Sequence, residues 1–206
     1  MTIQLSDAGK KFNRDWIFRH LSFSFHTQYS YAIVGPNGSG KSTLLQTIAS
    51  SINPSEGNVS FIDNDKQVNS ENCYQYITMA APYVELIEEM TAKEFLQFHN
   101  SFKPFIHSLS IDEILQIISL EKAANKQIRY YSSGMKQRVK LAQAIFSDTP
   151  IILLDEPCTN LDKTGYHLYH HLISTYCANK LIIVSSNDEN EMDFCEEKLN
   201  IIDYKI

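Results

Sequence analysis

Short apolar runs alternate with stretches in which apolar residues recur every three or four positions, and the two periods divide the chain into strands and helices. Thr2–Leu5 and Leu21–Phe25 alternate as half-buried strands do, with Leu21, Phe23 and Phe25 on one face and Ser22 and Ser24 on the other. Tyr31–Val34 is a continuous apolar run that leads into a glycine-rich turn. Asn58–Asp63 follows the turn residues Asn53, Pro54 and Gly57 as a further strand. Ile151–Asp155 and Leu181–Ser185 are short apolar runs with a helix predicted between them over about Lys163–Ala178. A short helix opening with Asp188 and a strand near Leu199–Asp203 complete the pattern. Strands separated by helical stretches predict an α/β fold with a mainly parallel sheet.

The middle third differs. Thr91-Ala-Lys-Glu94 and Ser110-Ile-Asp-Glu113 both have the capping-box form, a hydroxyl that caps a helix and a glutamate that reaches back to it. Phe95, Phe98 and Phe102 follow the first at helical spacing, and Ile114, Leu115 and Ile118 the second. Residues 88–147 are therefore predicted to be a helical insertion.

The length of 206 residues fits one domain with a sizeable core, here taken as 1–206, and 43% hydrophobic with 20% charged residues is ordinary globular composition. Eighteen Lys and Arg against 24 Asp and Glu leave a formal charge of −6. That balance gives no broad grip on a phosphate backbone, so no nucleic-acid partner is expected. No apolar run approaches a membrane span, and Met1–Ser6 lacks the form of a secretory leader. Cys73, Cys158, Cys177 and Cys195 form no C-x-x-C pair and read as reduced thiols, which predicts a soluble cytoplasmic protein. His167, His170 and His171 share a helix face without a carboxylate or cysteine at ligand spacing, and are expected on a solvated or packed face. The acidic run from Asp188 to Glu197 is expected to be a solvated helix face.

Gly35-Pro36-Asn37-Gly38-Ser39-Gly40-Lys41-Ser42 matches the phosphate-loop pattern G-x-x-x-x-G-K-[ST] at every fixed position, with a predicted strand before it and a helical stretch from Thr43 after it. Its glycines let main-chain N–H groups turn inward as an anion nest, and the helix start adds its positive end. Lys41 can reach the β- and γ-phosphates of a nucleotide, and the Ser42 hydroxyl can ligate Mg²⁺. Ile151–Glu156 is an apolar strand ending in two acids: Asp155 is placed to hold Mg²⁺ and Glu156 to orient or deprotonate a water. The motif alone leaves kinases, GTPases and several ATPases open.

Tyr131-Ser-Ser-Gly-Met-Lys-Gln-Arg138 resembles the signature of ABC-type ATPases, usually written LSGGQ-x-QR, with Ser132 and Gly134 at matching positions. Thr159-Asn-Leu-Asp162 resembles the D-loop that follows the second acidic motif. The resemblance covers essentially the whole chain. It implies a P-loop NTPase core with an N-terminal antiparallel β subdomain and an inserted helical subdomain. It also implies a dimer, expected to be a homodimer, that sandwiches ATP and Mg²⁺. In that arrangement Ser132, Ser133, Gly134 and Asp162 of one subunit would face the phosphate loop, including Thr43, of the other. The same resemblance implies a separate transmembrane permease subunit and a peripheral place at the inner face of the cell membrane. Ser132 and Gly134 open a helix whose stripe is Met135, Val139, Ala142 and Phe146, a second anion-binding helix start. Phe12 stands where such proteins keep an aromatic that stacks on adenine, with Trp16 as the rival.

Three departures stand out. The family's glutamine between core and helical lobe is absent from Thr78–Glu85; Gln75 falls too early, in a predicted strand, which leaves Glu85 or Glu88 as substitutes. Asn187 occupies the place of the switch histidine, and its amide can donate a hydrogen bond but cannot become cationic. Ser133 and Met135 replace a glycine and the glutamine of the signature. The expected function is ATP hydrolysis by a transporter's ATPase subunit. A nucleotide-gated clamp with weak hydrolysis and a soluble ATPase unconnected with transport stand as alternatives.

Overall fold

The computed structural model describes residues 1–107 and 109–205; Ser108, inside the stretch predicted to be helical, and Ile206 lie outside the described residues. The chain divides into two compact units, one of residues 1–77, 150–156 and 179–206, the other of residues 78–149 and 157–178. The second unit thus takes in residues 157–178 as well as the stretch 88–147 read as an insertion.

In the first unit, β1 (Thr2–Phe12), β2 (Asp15–His26), β4 (Glu56–Asp63) and β5 (Lys66–Gln67) form an antiparallel sheet in the order β2-β1-β4-β5. Ile3 faces Phe25 and Leu5 faces Phe23, and Leu21 and Phe25 are fully buried, as the alternation predicts. The hairpin is longer than the pattern shows, since Phe12 pairs with Asp15 at its tip. Register shifts between Leu5 and Ala8, and again on to Lys10 and Lys11, change which face each residue takes, so strict alternation fails there.

The second sheet of this unit is parallel. β7 (Ile151–Asp155), β8 (Leu181–Ser185), β3 (Ser30–Val34) and β9 (Glu197–Asn200) lie side by side in that order. Every residue of β7 and β8 is buried, which explains their uninterrupted apolar runs. Helix α1 (Lys41–Ile48) packs against β1, β7 and β8, and its Leu44, Leu45 and Ile48 are buried. The last strand comes two residues earlier than predicted, and Ile201–Tyr204 is a 3-10 turn capped by Asn200. The helix expected at Asp188 is a single 3-10 turn, Glu189–Glu191. The acidic run is not a solvated helix face: Glu191 is buried and Glu197 opens β9.

Strand β6 (Ile77–Ala80) carries the chain into the second unit, and Gln75 lies before it in the 3-10 helix Ser70–Tyr76, not in a strand. This unit holds α2 (Ala92–Phe102), α3 (Ile111–Ile117), α4 (Ser133–Ile145) and α5 (Lys163–Tyr176). Both capping boxes form in full, Thr91 with Glu94 and Ser110 with Glu113. Ile114, Leu115 and Ile118 are buried. On α2 the inward stripe is Ala92, Phe95, Leu96 and half-buried His99, so Phe98 and Phe102 turn outward and pack on each other at 4.9 Å. Val139, Ala142 and Phe146 are buried along α4. Phe146 meets Tyr176 at the end of α5 edge-to-face, at 4.8 Å. Among the described residues no helix is long and apolar enough to cross a membrane.

Candidate functional site

Because β3, β7 and β8 are parallel, the segments that follow them emerge at one edge of the sheet, the usual place for ligands in such folds. These segments carry the phosphate loop, the Asp155–Glu156 pair and Asn187. The loop's backbone needs its glycines. Gly35 and Gly40 have φ of +148° and +102°, and a Cβ on Gly40 would stand 2.1 Å from Ile17 Cγ2. Gly40 caps α1 with no side-chain acceptor, so the first-turn N–H groups of Lys41, Ser42 and Thr43 stay available to an anion. Lys41 is 6% exposed, and its Nζ donates to the carbonyls of Gly35 at 2.9 Å and Pro36 at 3.4 Å. The ammonium is thereby held over the loop.

Asp155 is 2% exposed and its Oδ1 has no hydrogen-bond partner among the described residues. Leaving a carboxylate oxygen dry and unpaired is costly, which makes Asp155 together with the exposed Ser42 hydroxyl a fitting oxygen donor set for Mg²⁺. Ser185 stands opposite Asp155 in the sheet register, and its buried Oγ is also without a partner, as is Ser39 Oγ in the loop. The sequence reading missed Ser185; strand register beside Asp155 is the signal that could have found it. Glu156 adopts φ +44°, a conformation uncommon outside glycine, with its N–H donating to Ser185 O at 2.8 Å. Asn187 is exposed, and its Nδ2 donates to Oδ1 of Asn37 in the loop. Residue 187 and the glycine-rich loop therefore touch directly.

Of the two aromatic candidates near the start, Phe12 is 49% exposed with Lys10 Nζ 5.2 Å from its ring centroid. Trp16 is covered by Arg19 at 4.5 Å and Lys11 at 5.1 Å. Phe12 keeps the more open ring.

In the second unit, Ser132 caps α4, its Oγ accepting from Met135 N at 3.3 Å, and Ser133 and Gly134 form the first turn. A groove of about 480 Å³ opens there, lined among others by Lys122, Ser132, Gly134, Met135, Arg138 and Asn160. A Cβ on Gly134 would lie 3.0 Å from Asn160 O, so glycine lets that loop approach the helix start. Asp162 caps α5: the Gly165 N–H, 2.9 Å from its Oδ1, holds the carboxyl below the usual range, with smaller help from Thr164 and Arg138. Glu85 and Glu88, considered as substitutes for the missing glutamine, face lysines of α4. Glu88 accepts from Lys136 Nζ. Lys140 Nζ donates to Ala81 O and Pro82 O, and burial lowers its pKa while nearby Glu85 opposes that shift. These two lysines tether the segment, and periodicity alone gave no sign of them. His167 and His171 are exposed and His170 half-buried beside Tyr169; no cluster of three metal-ligand side chains occurs among the described residues.

Comparison with known proteins gives the family. Residues 18–159 match the ABC transporter family. The uncharacterized ABC transporter ATP-binding protein YcbN of Bacillus subtilis is 25% identical over 97% of this chain and 66% of its own length. YxlF of the same organism, likewise an uncharacterized ABC transporter ATP-binding protein, is 33% identical over 79% of this chain and 55% of its own length. The chain thus spans two-thirds or less of these relatives. Among solved structures, a dimeric ATP-binding cassette in a post-hydrolysis state bound to ADP and Pi superposes with a TM-score of 0.83, at 24% identity, over 99% of this chain and 96% of that one. The matched segment takes in the phosphate loop, the signature and the Asp155–Glu156 strand end, and this chain belongs to the ABC transporter family.

Proposed function

We propose that the chain is the ATP-binding subunit of an ABC transporter, one that binds Mg-ATP and hydrolyses it to drive a separate transmembrane permease subunit at the cytoplasmic face of the membrane. The observation that carries this reading is the meeting of a phosphate nest, a dry acid, a following glutamate and an amide at one sheet edge. Residues 35–43 hold the phosphates, with Lys41 reaching the β- and γ-groups, and Phe12 stacks on the adenine. Ser42 and Asp155 would hold Mg²⁺, which would supply neutralisation of the phosphate charge. A second copy of the subunit closes the site, its Ser132, Ser133 and Gly134 presenting a helix start to the γ-phosphate and its Asp162 lying alongside. Glu156 accepts a proton from the attacking water. The water oxygen bonds to the γ-phosphorus as the bond to the bridging oxygen breaks, and ADP and phosphate leave. Asn187 donates to a γ-phosphate oxygen.

Asparagine in place of the switch histidine supports a second reading, a clamp that closes on ATP but turns it over slowly. One experiment addresses both. Mg²⁺-dependent phosphate release is expected from the purified chain, abolished in Glu156→Gln while ATP binding by calorimetry persists. Tight binding with only slow phosphate release in the parent protein selects the clamp, and the absence of ATP binding overturns both.

A further inference from the structure

Asn37 has no backbone reason to be an asparagine. In turns this residue is often chosen because it tolerates the left-handed region, yet Asn37 is not among the positive-φ residues; in this loop glycines take those conformations. What Asn37 contributes is its side chain, and that side chain accepts a hydrogen bond from Asn187 Nδ2 across 150 residues of sequence. The main chain on either side of Asn187 is pinned. Ser186 Oγ accepts from Asp188 N at 2.9 Å, and Asp188 Oδ1 accepts from Asn190 N at 2.9 Å. The carboxamide of Asn187 itself is exposed, with no bulky ring to restrict it, and it would otherwise turn freely about its side-chain bonds.

A primary amide has two N–H donors and an oxygen with two acceptor sites. One N–H committed to Asn37 sets the plane of the group and which edge carries the oxygen. A second N–H and the whole oxygen then remain for other partners. An orienting contact matters because a donor contributes to a transition state chiefly when it is already aimed. A histidine ring is stiffer and needs less help.

We propose that Asn37 is a positioning residue for Asn187: its Oδ1 holds the Asn187 carboxamide at the mouth of the phosphate loop with the second N–H aimed at bound nucleotide. This rests on the proposed ATPase reading, and it concerns the rate of the chemical step more than affinity. The test is single-turnover hydrolysis of Mg-ATP together with calorimetric ATP affinity. The proteins compared are the parent, Asn37→Ala, Asn37→Ser, Asn187→Ala and the double variant Asn37→Ala/Asn187→Ala. Asn37→Ala is expected to slow hydrolysis about 5- to 30-fold, a part of the loss typical of removing a preorganised donor, with affinity changed less than about threefold. Asn37→Ser, which keeps a side-chain acceptor, should recover part of the rate. In the double variant the Asn37 change should cost nothing beyond Asn187→Ala, the coupling expected of a residue that acts only through another. A parent that hydrolyses Mg-ATP while Asn37→Ala matches it, or an Asn37→Ala effect that persists in full without Asn187, overturns the positioning role alone. A parent that binds Mg-ATP without hydrolysing it defeats the proposed activity and this role with it.

Discussion

Lys41 is a cation held almost entirely out of water, its ammonium resting on two loop carbonyls that a nucleotide's phosphates would supersede. Truncating it leaves the nest intact but removes its charge. Lys41→Ala is expected to weaken Mg-ATP binding by about 2–4 kcal/mol, the range for a charge-assisted contact in a closed site. Calorimetry reads this directly, and unchanged affinity would dispose of the phosphate-loop assignment. Asn187 should behave differently, because its contact matters as charge moves in the transition state. Asn187→Ala is expected to slow single-turnover hydrolysis by up to about 10²-fold with little change in affinity, and Asn187→His to equal or exceed the parent rate. A parent-like rate in Asn187→Ala would show that this position has no part in the chemistry. At this scale the loop and the acidic pair were legible, since their chemistry lies in contiguous residues. The Asn37–Asn187 contact was not, because nothing in either segment encodes where the other one lies.

The two capping boxes were readable because a helix start is a local event, closed within four residues. In both, the hydroxyl and N–H of the cap hold the glutamate, Glu94 or Glu113, below its usual pKa. A carboxyl depressed in the folded state stabilises above its unfolded pKa, and that contribution is lost as pH falls through the lower folded value. Thr91→Ala and Ser110→Ala should each lower stability at neutral pH by about 1 kcal/mol, measured by urea denaturation. The difference from the parent should shrink in acid; a gap unchanged at low pH would refute the ionic share of the caps. His99 on α2 works in a higher window. Burial, with Lys103 nearby, lowers its pKa to about 4, and Nε2 faces Ser147 Oγ at 2.9 Å. Ser147 in turn donates to Gln143 O, so neutral His99 is the donor. From an ordinary value of 6.5 down to about 4 the unfolded chain takes up the proton more readily, so stability should fall as pH drops through that interval. His99→Gln should flatten the fall between pH 6.5 and 4.5 in denaturation midpoints, and an unchanged slope would assign the acid sensitivity elsewhere. What spacing does not give on α2 is direction: Phe98 and Phe102 share the helical spacing of Phe95 yet are exposed, and the buried stripe runs through Ala92, Phe95 and Leu96 with His99 half-buried beside it.

For the whole molecule, the phosphate loop and the signature helix start belong to different compact units, and each presents backbone N–H groups suited to an anion. The dimer proposed above gives both a use. Glu156→Gln should accumulate an ATP-bound dimer on size-exclusion chromatography, and adding Ser132→Arg should abolish it; a monomer in every case would count against closure around nucleotide. The amino-acid order alone determined the α/β class, the phosphate loop, the acidic strand end and the helix caps, because each depends on period or on neighbours a few residues apart. Only the folded chain decided that the hairpin runs on to Phe12 through bulged register, that Ser185 stands beside Asp155, that Lys136 and Lys140 tether the segment lacking its glutamine, and that Asn37 meets Asn187. Those contacts join segments far apart along the chain, and parallel strand order, which no local pattern carries, is what brings three of their loops to one edge.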